Sequence, residues 1–457
     1  MRVRGRTVAV LAAAAVAVAA AIAVVPALAP QAQAATTCTA PLWAEGNTYT
    51  VGTQVTYNGH TYQALVTHTA YVGAGWNPAA TPSLWTDLGA CTGSPSPSPT
   101  RTTSPSPSPS HTTSPSPSVS PSRSTSPSPT ASPTTSPTGG SCAVKSRPAG
   151  KVLQGYWENW DGAANGVHPG LGWIPITDPR IAQHGYNVIN LAFPVIRSDG
   201  TVLWENGMDA GVQVPTPAQM CQAKAAGATL LMSIGGAAAG IDLSSSAVAD
   251  RFVSTIVPIL KANNFDGIDI DIETGLTGSG SIATLSTSQS NLIRIIDGVL
   301  AQMPSNFGLT MAPETAYVTG GSVVYGSIWG AYLPIVKKYV DNGRLWWLNM
   351  QYYNGSMYGC SGDSYSAGTV QGFTTQTTCL NNGLTIQGTT IRVPYDKQVP
   401  GLPAQSGAGG GYMTPSLVSQ AYNSFSGQLK GLMTWSVNWD GSKGWTFGDN
   451  VKSLQGR

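Results

Sequence analysis

Charge is what this chain has least of. Lys and Arg number 23 and Asp and Glu 21 among 457 residues, so 10% of the chain is charged, against roughly 25% in an average soluble protein. With a formal net charge of +2, it lacks the basic surface that nucleic acid or an anionic membrane requires, and it offers little to an ionic substrate. The five histidines are scattered and none of the six cysteines stands in a Cys-x-x-Cys. That excludes the usual zinc spacings, and neither a metal nor a cofactor is expected. Beyond Val25 no apolar run is long enough to span a membrane.

Aromatic residues are plentiful instead, with 13 Trp and 17 Tyr. A neutral, aromatic-rich protein suits a neutral partner with flat apolar faces, and sugars have such faces.

The N-terminus reads as an export leader over residues 1–34. Arg2, Arg4 and Arg6 precede a continuous apolar run from Val8 to Val25, and Ala32-Gln33-Ala34 supplies a small-x-small cleavage site. A membrane anchor is the competing reading, disfavoured because the processing site follows so closely. A secreted protein is expected, and an even count of cysteines fits an oxidising compartment. Cys38 and Cys91 bracket one aromatic-rich segment and Cys360 and Cys379 a polar loop, which leaves Cys142 and Cys221 to pair. Closing the Cys38–Cys91 loop stabilises a small module by about 4 kcal/mol in the chain-entropy model.

Residues 94–140 are almost entirely Ser, Pro and Thr. Such a stretch cannot bury a core and reads as an extended spacer, reaching on the order of 140 Å in polyproline geometry. It separates a short module at 35–93 from a large one at 141–457, so one part can hold something while the other acts on it.

The short module alternates apolar and polar residues in runs such as QVTYNG and TYQALV, with a turn at Asn58-Gly59, and reads as small β-strands. Its Trp43, Tyr49, VTYNGHTYQA (55–64), GWNP (75–78) and LW (84–85) resemble the carbohydrate-binding family 5/12 modules that bind chitin. The resemblance implies that Trp76 stacks on sugar, with Trp85 and Tyr62 as further candidate platforms.

In the large module, apolar runs alternate with helical stretches. The strands are expected at 152–157, 187–193, 229–236, 267–273, 308–314, 345–353, 398–404 and 431–437. Eight strands with intervening helices predict an α/β fold, a (β/α)₈ TIM barrel. A doubly wound sheet would bring a Gly-rich phosphate turn, which SIGG (233–236) is not.

Within this charge-poor chain, residues 265–275 read FDGIDIDIETG. Residues two apart on a strand share a face, so Asp269, Asp271 and Glu273 point one way and Ile268, Ile270 and Ile272 the other. The isoleucines explain themselves as packing beneath helices. The acids do not, since an unpaired buried carboxylate costs several kcal/mol. Glu273 stands at the C-terminal end of its strand, where barrel enzymes place their chemistry. Like charges in file disfavour full ionisation and leave one acid protonated near neutrality, as cleavage of a glycosidic bond requires. A calcium site would need ligands from several directions, which one strand face cannot supply.

DGIDIDIE is similar to the Asp-x-x-Asp-x-Asp-x-Glu signature of glycoside hydrolase family 18, the chitinases and their relatives. Ser233-Ile234-Gly235-Gly236 resembles that family's Ser-x-Gly-Gly. Gln351-Tyr352-Tyr353-Asn354 resembles the Gln-x-Tyr-Asn of its plant-type and bacterial chitinase D-like members, and Trp435 the Trp under the cleavage subsite. The resemblance implies retaining, substrate-assisted hydrolysis of chitin and N-acetylglucosamine oligomers. Glu273 would be general acid and base and Asp271 would hold the acetamido N–H. Tyr353 would donate to the acetamido carbonyl, and Asp269 would share a proton with Asp271. Gln351, Asn354, Tyr156, Met311 and Glu314 are expected around the sugar with Trp435, whereas Asp266 reads as structural. The family's frequent Trp before the catalytic Glu is Ile272 here, which points to the hevamine-like subgroup. Only eleven residues separate Leu402 from Thr414, too few for the domain that walls the cleft of exo-acting members, so an open groove and endo cleavage are expected; a monomer is expected independently of this. An endo-β-N-acetylglucosaminidase and a non-hydrolytic lectin are the alternatives.

Overall fold

The computed structural model describes residues 36–44, 47–65, 68–70, 77–79, 81, 84–92, 140–160, 171–237 and 240–457. The leader, the spacer short of residue 140 and Trp76 lie outside these described residues. Among the described residues no helix is long and apolar enough to cross a membrane.

The N-terminal module is all-β. Strands Gln54–Tyr57 and His60–Ala64 form a hairpin whose two-residue turn, Asn58-Gly59, has φ of 47° and 76°. Positive φ at both positions makes the turn twist with the strands, and Asn-Gly tolerates it best. Trp85–Thr92 pairs antiparallel with the second strand, Thr36–Thr37 joins its far edge, and Cys38–Cys91 ties the chain ends together. In register, Val55 faces Tyr62 and Ala64 faces Trp85, and these side chains form the module's core. This corrects two expectations. Trp85 is 2% exposed with its ring edge-on to Tyr49 at 5.0 Å, and Tyr62 is 7% exposed. Neither presents a face to sugar; both are needed to fill a module this small.

The large module is the expected barrel. Its strands are β1 (Val152–Glu158), β2 (Val188–Ala192), β3 (Thr229–Gly235), β4 (Gly267–Asp271), β5 (Gly308–Met311), β6 (Trp347–Leu348), β7 (Gly401–Pro403) and β8 (Gly431–Trp435). All pair in parallel, in an order that runs from β6 back through β1 to β8 and β7. β6 and β7 are shorter than expected because single bridges, Leu348 to Gln398 and Gln351 to Gly401, close the barrel there in place of a continuous ladder.

Helices follow the strands, among them α1 (Pro179–Gln183), α2 (Pro217–Ala225), α3 (Ser246–Ala262), α4 (Thr287–Leu300), α5 (Leu333–Asp341), α6 (Val370–Asn382), α7 (Pro415–Asn423), α8 (Val437–Gly441) and α9 (Thr446–Leu454). α2 and α4 open with reciprocal capping boxes, Thr216 with Gln219 and Ser286 with Gln289, which satisfy two otherwise orphaned donors each. Cys142–Cys221 ties the segment before β1 to α2, and Cys360–Cys379 ties the loop after β6 to α6.

Alternation sorts the strand residues into two cores. Ile268, Ile270, Ile272 and Met311 pack outward with the helices, while Val152, Val188, Leu231, Trp347 and Met433 fill the barrel. Between β7 and α7 the chain runs through residues 404–414 with no inserted domain.

Candidate active site

Asp269 sits in the middle of the barrel, fully buried, and its neighbours in register are Ser233 on β3 and Thr310 on β5. Partners on parallel strands share a face, so both hydroxyls reach the carboxylate. Oδ2 accepts from Ser233 Oγ at 2.9 Å and from Tyr156 Oη at 2.6 Å. Oδ1 accepts from Thr310 Oγ1 at 2.6 Å and Asn349 Nδ2 at 3.0 Å. Burial pushes Asp269 above the ordinary carboxylate range while these four donors pull against it.

One step toward the mouth, Asp271 ends β4. Gly235 beside it has φ of 115°, and a Cβ there would fall 2.1 Å from the Asp271 carbonyl oxygen. Only glycine allows this approach, in which the Gly236 N–H donates to that oxygen at 2.7 Å. Glu273 lies two residues past the strand end, half-buried, and is held there by tyrosines. Tyr332 Oη accepts from the Ile272 N–H at 3.0 Å and donates to the Ile272 carbonyl at 2.9 Å, and Tyr317 Oη donates to the Glu273 carbonyl at 2.6 Å.

Gln351, from the β6 extension, joins the two outer acids. Its Nε2 donates to Asp271 Oδ1 and Glu273 Oε1, at 2.9 Å each. Burial, and then the charges of Glu273 and Asp269, hold Asp271 well above the usual carboxylate range. Burial lifts Glu273 to about 7, against the pull of hydrogen bonds from Gln351 and Asp271. Asp271 is joined to Glu273 through Gln351, while each oxygen of Asp269 already accepts from two donors. Tyr353 is buried against the same acids, and burial first, then their charge, pushes its phenol far above the ordinary range. It keeps its proton and, among the described residues, its hydroxyl has no hydrogen-bond partner.

A site of one half-buried acid near neutrality, a second acid held well above its usual range beside it, and a phenol without a hydrogen-bond partner among the described residues is suited to acid catalysis on a sugar. Models of two families match the chain: glycosyl hydrolases family 18 over residues 152–357, and carbohydrate-binding module family 5/12 over residues 42–86. Endochitinase 37 of Trichoderma harzianum is 84% identical over 310 residues, 68% of this chain and 92% of that protein. The chain belongs to glycosyl hydrolases family 18. Chitinase D of Niallia circulans is 30% identical over 493 residues, 90% of each chain. The solved family 18 chitinase of Chromobacterium violaceum superposes with a TM-score of 0.59 at 28% identity, covering 92% of this chain and all of that one.

In this family 18 site, Trp435 at the end of β8 is half-buried and stacks on Phe193 at 6.0 Å with 14° between the rings. Trp160 lies 6.1 Å from Trp435, so three rings gather beyond the ends of β8 and β2, and Tyr156 packs 5.4 Å from Trp435 beneath them. Glu314, half-buried, bridges in backbone to Gln351 and adds to the negative field that holds up Asp271 and Tyr353.

Two residues expected at the sugar, Met311 and Tyr156, are placed elsewhere, and a third, Asn354, has its side-chain oxygen engaged by a loop. Met311 pairs with Ile270 and so points outward, fully buried under the helices. Tyr156 is 1% exposed and its hydroxyl is committed to Asp269, so it supports the site from beneath. Asn354 uses its side-chain oxygen to accept from the Gly410 N–H at 2.8 Å, tying down the loop after β7. Asp266 is structural as expected, paired at 2.7 Å with the buried Lys224. Sequence reading missed Thr310 and Asn349, which counting faces along β5 and β6 would have found, and Phe193, Trp160, Tyr317 and Tyr332, which carry no local signal.

Proposed function

We propose that this protein is an exported, endo-acting chitinase that cleaves β-1,4 bonds between N-acetylglucosamine units with retention. The bridge of Gln351 across Asp271 and Glu273 carries this reading, because it sets a protonated carboxyl beside an acid that can turn toward a substrate amide. Glu273 gives its proton to the glycosidic oxygen as the bond from the anomeric carbon to that oxygen breaks. The acetamido carbonyl oxygen of the same sugar bonds to the anomeric carbon, forming an oxazolinium ion. Asp271 holds the acetamido N–H, and Tyr353 donates to the carbonyl oxygen. Glu273, now a carboxylate, takes a proton from water that attacks the anomeric carbon, and the N-acetyl group is restored.

Trp435 supports the bound sugar. The short segment at 404–414 leaves the groove open, which favours internal cleavage. A leader at 1–34, a sugar-holding module at 35–93 that presents Trp76, a spacer at 94–140 and the catalytic barrel at 141–457 together suit an enzyme that works on an insoluble polymer. That module favours chitin over the soluble glycans of an endo-β-N-acetylglucosaminidase. Product analysis on chitin oligomers with detection of the anomer tests the reading. The newly formed reducing end should emerge as the β-anomer, and chains without N-acetyl groups should resist. Release of the α-anomer, or equal attack on unacetylated chains, would refute it.

A further inference from the structure

Glu158 ends β1 with a carboxylate that is fully buried. Such a group costs several kcal/mol unless donors satisfy it, and packing alone does not call for a charge there. One of its partners lies across the seam between β1 and β8: Ser436 Oγ donates to Glu158 Oε1 at 2.5 Å. The Glu158 N–H in turn donates to Asn438 Oδ1 at 3.0 Å. Ser436 directly follows Trp435, and its hydroxyl also caps α8 by accepting from the Trp439 N–H at 3.1 Å. The next residue, Asn159, serves the second ring, with Nδ2 donating to the Phe193 carbonyl at 2.9 Å. The two residues at the end of β1 therefore fix, from behind, the backbone that carries the stacked rings of Trp435 and Phe193.

We infer that Glu158 is a positioning residue that, through Ser436, sets the plane of Trp435 and so the height of the sugar relative to Glu273. This rests on the reading of Trp435 as the support under the cleaved sugar. Freed from Glu158, the chain after Trp435 can shift, and misplacing a reacting group by about 1 Å costs on the order of a hundredfold in rate.

The test compares E158Q, E158A, S436A and the double variant E158A/S436A on N-acetylglucosamine oligomers. It measures kcat, KM and the change in tryptophan fluorescence on oligomer binding. E158A and S436A should each lose about tenfold in kcat/KM, the scale of a hydrogen bond to a charged group. The double variant should lose less than the two single losses combined, because both singles remove the Ser436–Glu158 contact, although S436A also removes the cap of α8. E158Q, which keeps an acceptor oxygen for Ser436, should recover most of the loss. A purely structural Glu158 would lower the melting temperature and leave kcat/KM of the folded protein unchanged. That result, or additive losses in the double variant, overturns the inference. Should E158A fail to fold, S436A carries the test alone. Failure of the wild-type protein to cleave the oligomers would instead refute the chitinase reading, and the fluorescence change would still report on Trp435.

Discussion

Tyr332 grips Ile272 by both of its backbone polar groups, accepting from the N–H at 3.0 Å and donating to the carbonyl at 2.9 Å. One phenol thus continues the order of β4 past its end at Asp271 and delivers Glu273 to the mouth. Tyr332→Phe leaves two buried backbone groups unsatisfied, at about 1–3 kcal/mol each. The variant should unfold at lower urea and lose kcat, by about tenfold if the loosened segment misplaces Glu273 by a fraction of an ångström. Tyr317→Phe removes only the bond to the Glu273 carbonyl and should cost less stability. Urea melts alongside kcat would separate the two.

Glu273→Gln keeps the shape of the side chain and removes its transferable proton. Loss of a general acid and base lowers kcat by roughly a thousandfold, while oligomer affinity should stay near that of the unaltered protein. Calorimetric titration with a chitin oligomer, beside rates of reducing-sugar release, checks both halves. Near-normal turnover would remove Glu273 from its proposed role.

The pH profile follows from the same carboxyl. Glu273 is active as an acid only while protonated, and burial places its ionisation at about 7. Above that pH, kcat/KM should fall about tenfold per unit. The hydrogen bond from Gln351 lowers the proton affinity of Glu273, so Gln351→Leu should move this limb to higher pH even as it reduces kcat. The shift also bears on stability. A carboxyl with a raised native value keeps a proton that the unfolded chain has released, so its contribution is present below the ordinary carboxylate value and declines as pH rises toward about 7.

Strands that are buried on both sides read as apolar runs, which is why all eight barrel strands were legible in the sequence. The alternation of isoleucine with acid revealed the inward face of β4, and Asn58-Gly59 revealed the hairpin. What closes the barrel was not legible: β6 and β7 meet through single bridges rather than by pattern. Met311 ends a strand, which suggests the mouth, but its register with Ile270 turns it outward. Tyr332 and Ile272 are 60 residues apart and Ser436 and Glu158 278 apart, and no local periodicity encodes such contacts. Aromatic residues of the small module were ambiguous for another reason: a Trp that binds sugar and a Trp that fills a core are the same residue in a sequence.

That ambiguity gives a prediction. Trp85 is a core residue, packed against Tyr49 and paired with Ala64, and truncating a buried Trp to Ala costs about 3–5 kcal/mol. A module of this size buries too little surface to absorb such a loss, even with Cys38–Cys91 in place. Trp85→Ala should therefore lose chitin binding together with the fold, visible as rapid proteolysis N-terminal to the spacer in the full chain. Trp76→Ala should lose binding and keep protease resistance. Sedimentation with insoluble chitin after limited proteolysis reads both properties at once. A Trp85→Ala protein that resists protease yet fails to bind would return Trp85 to the sugar-facing surface.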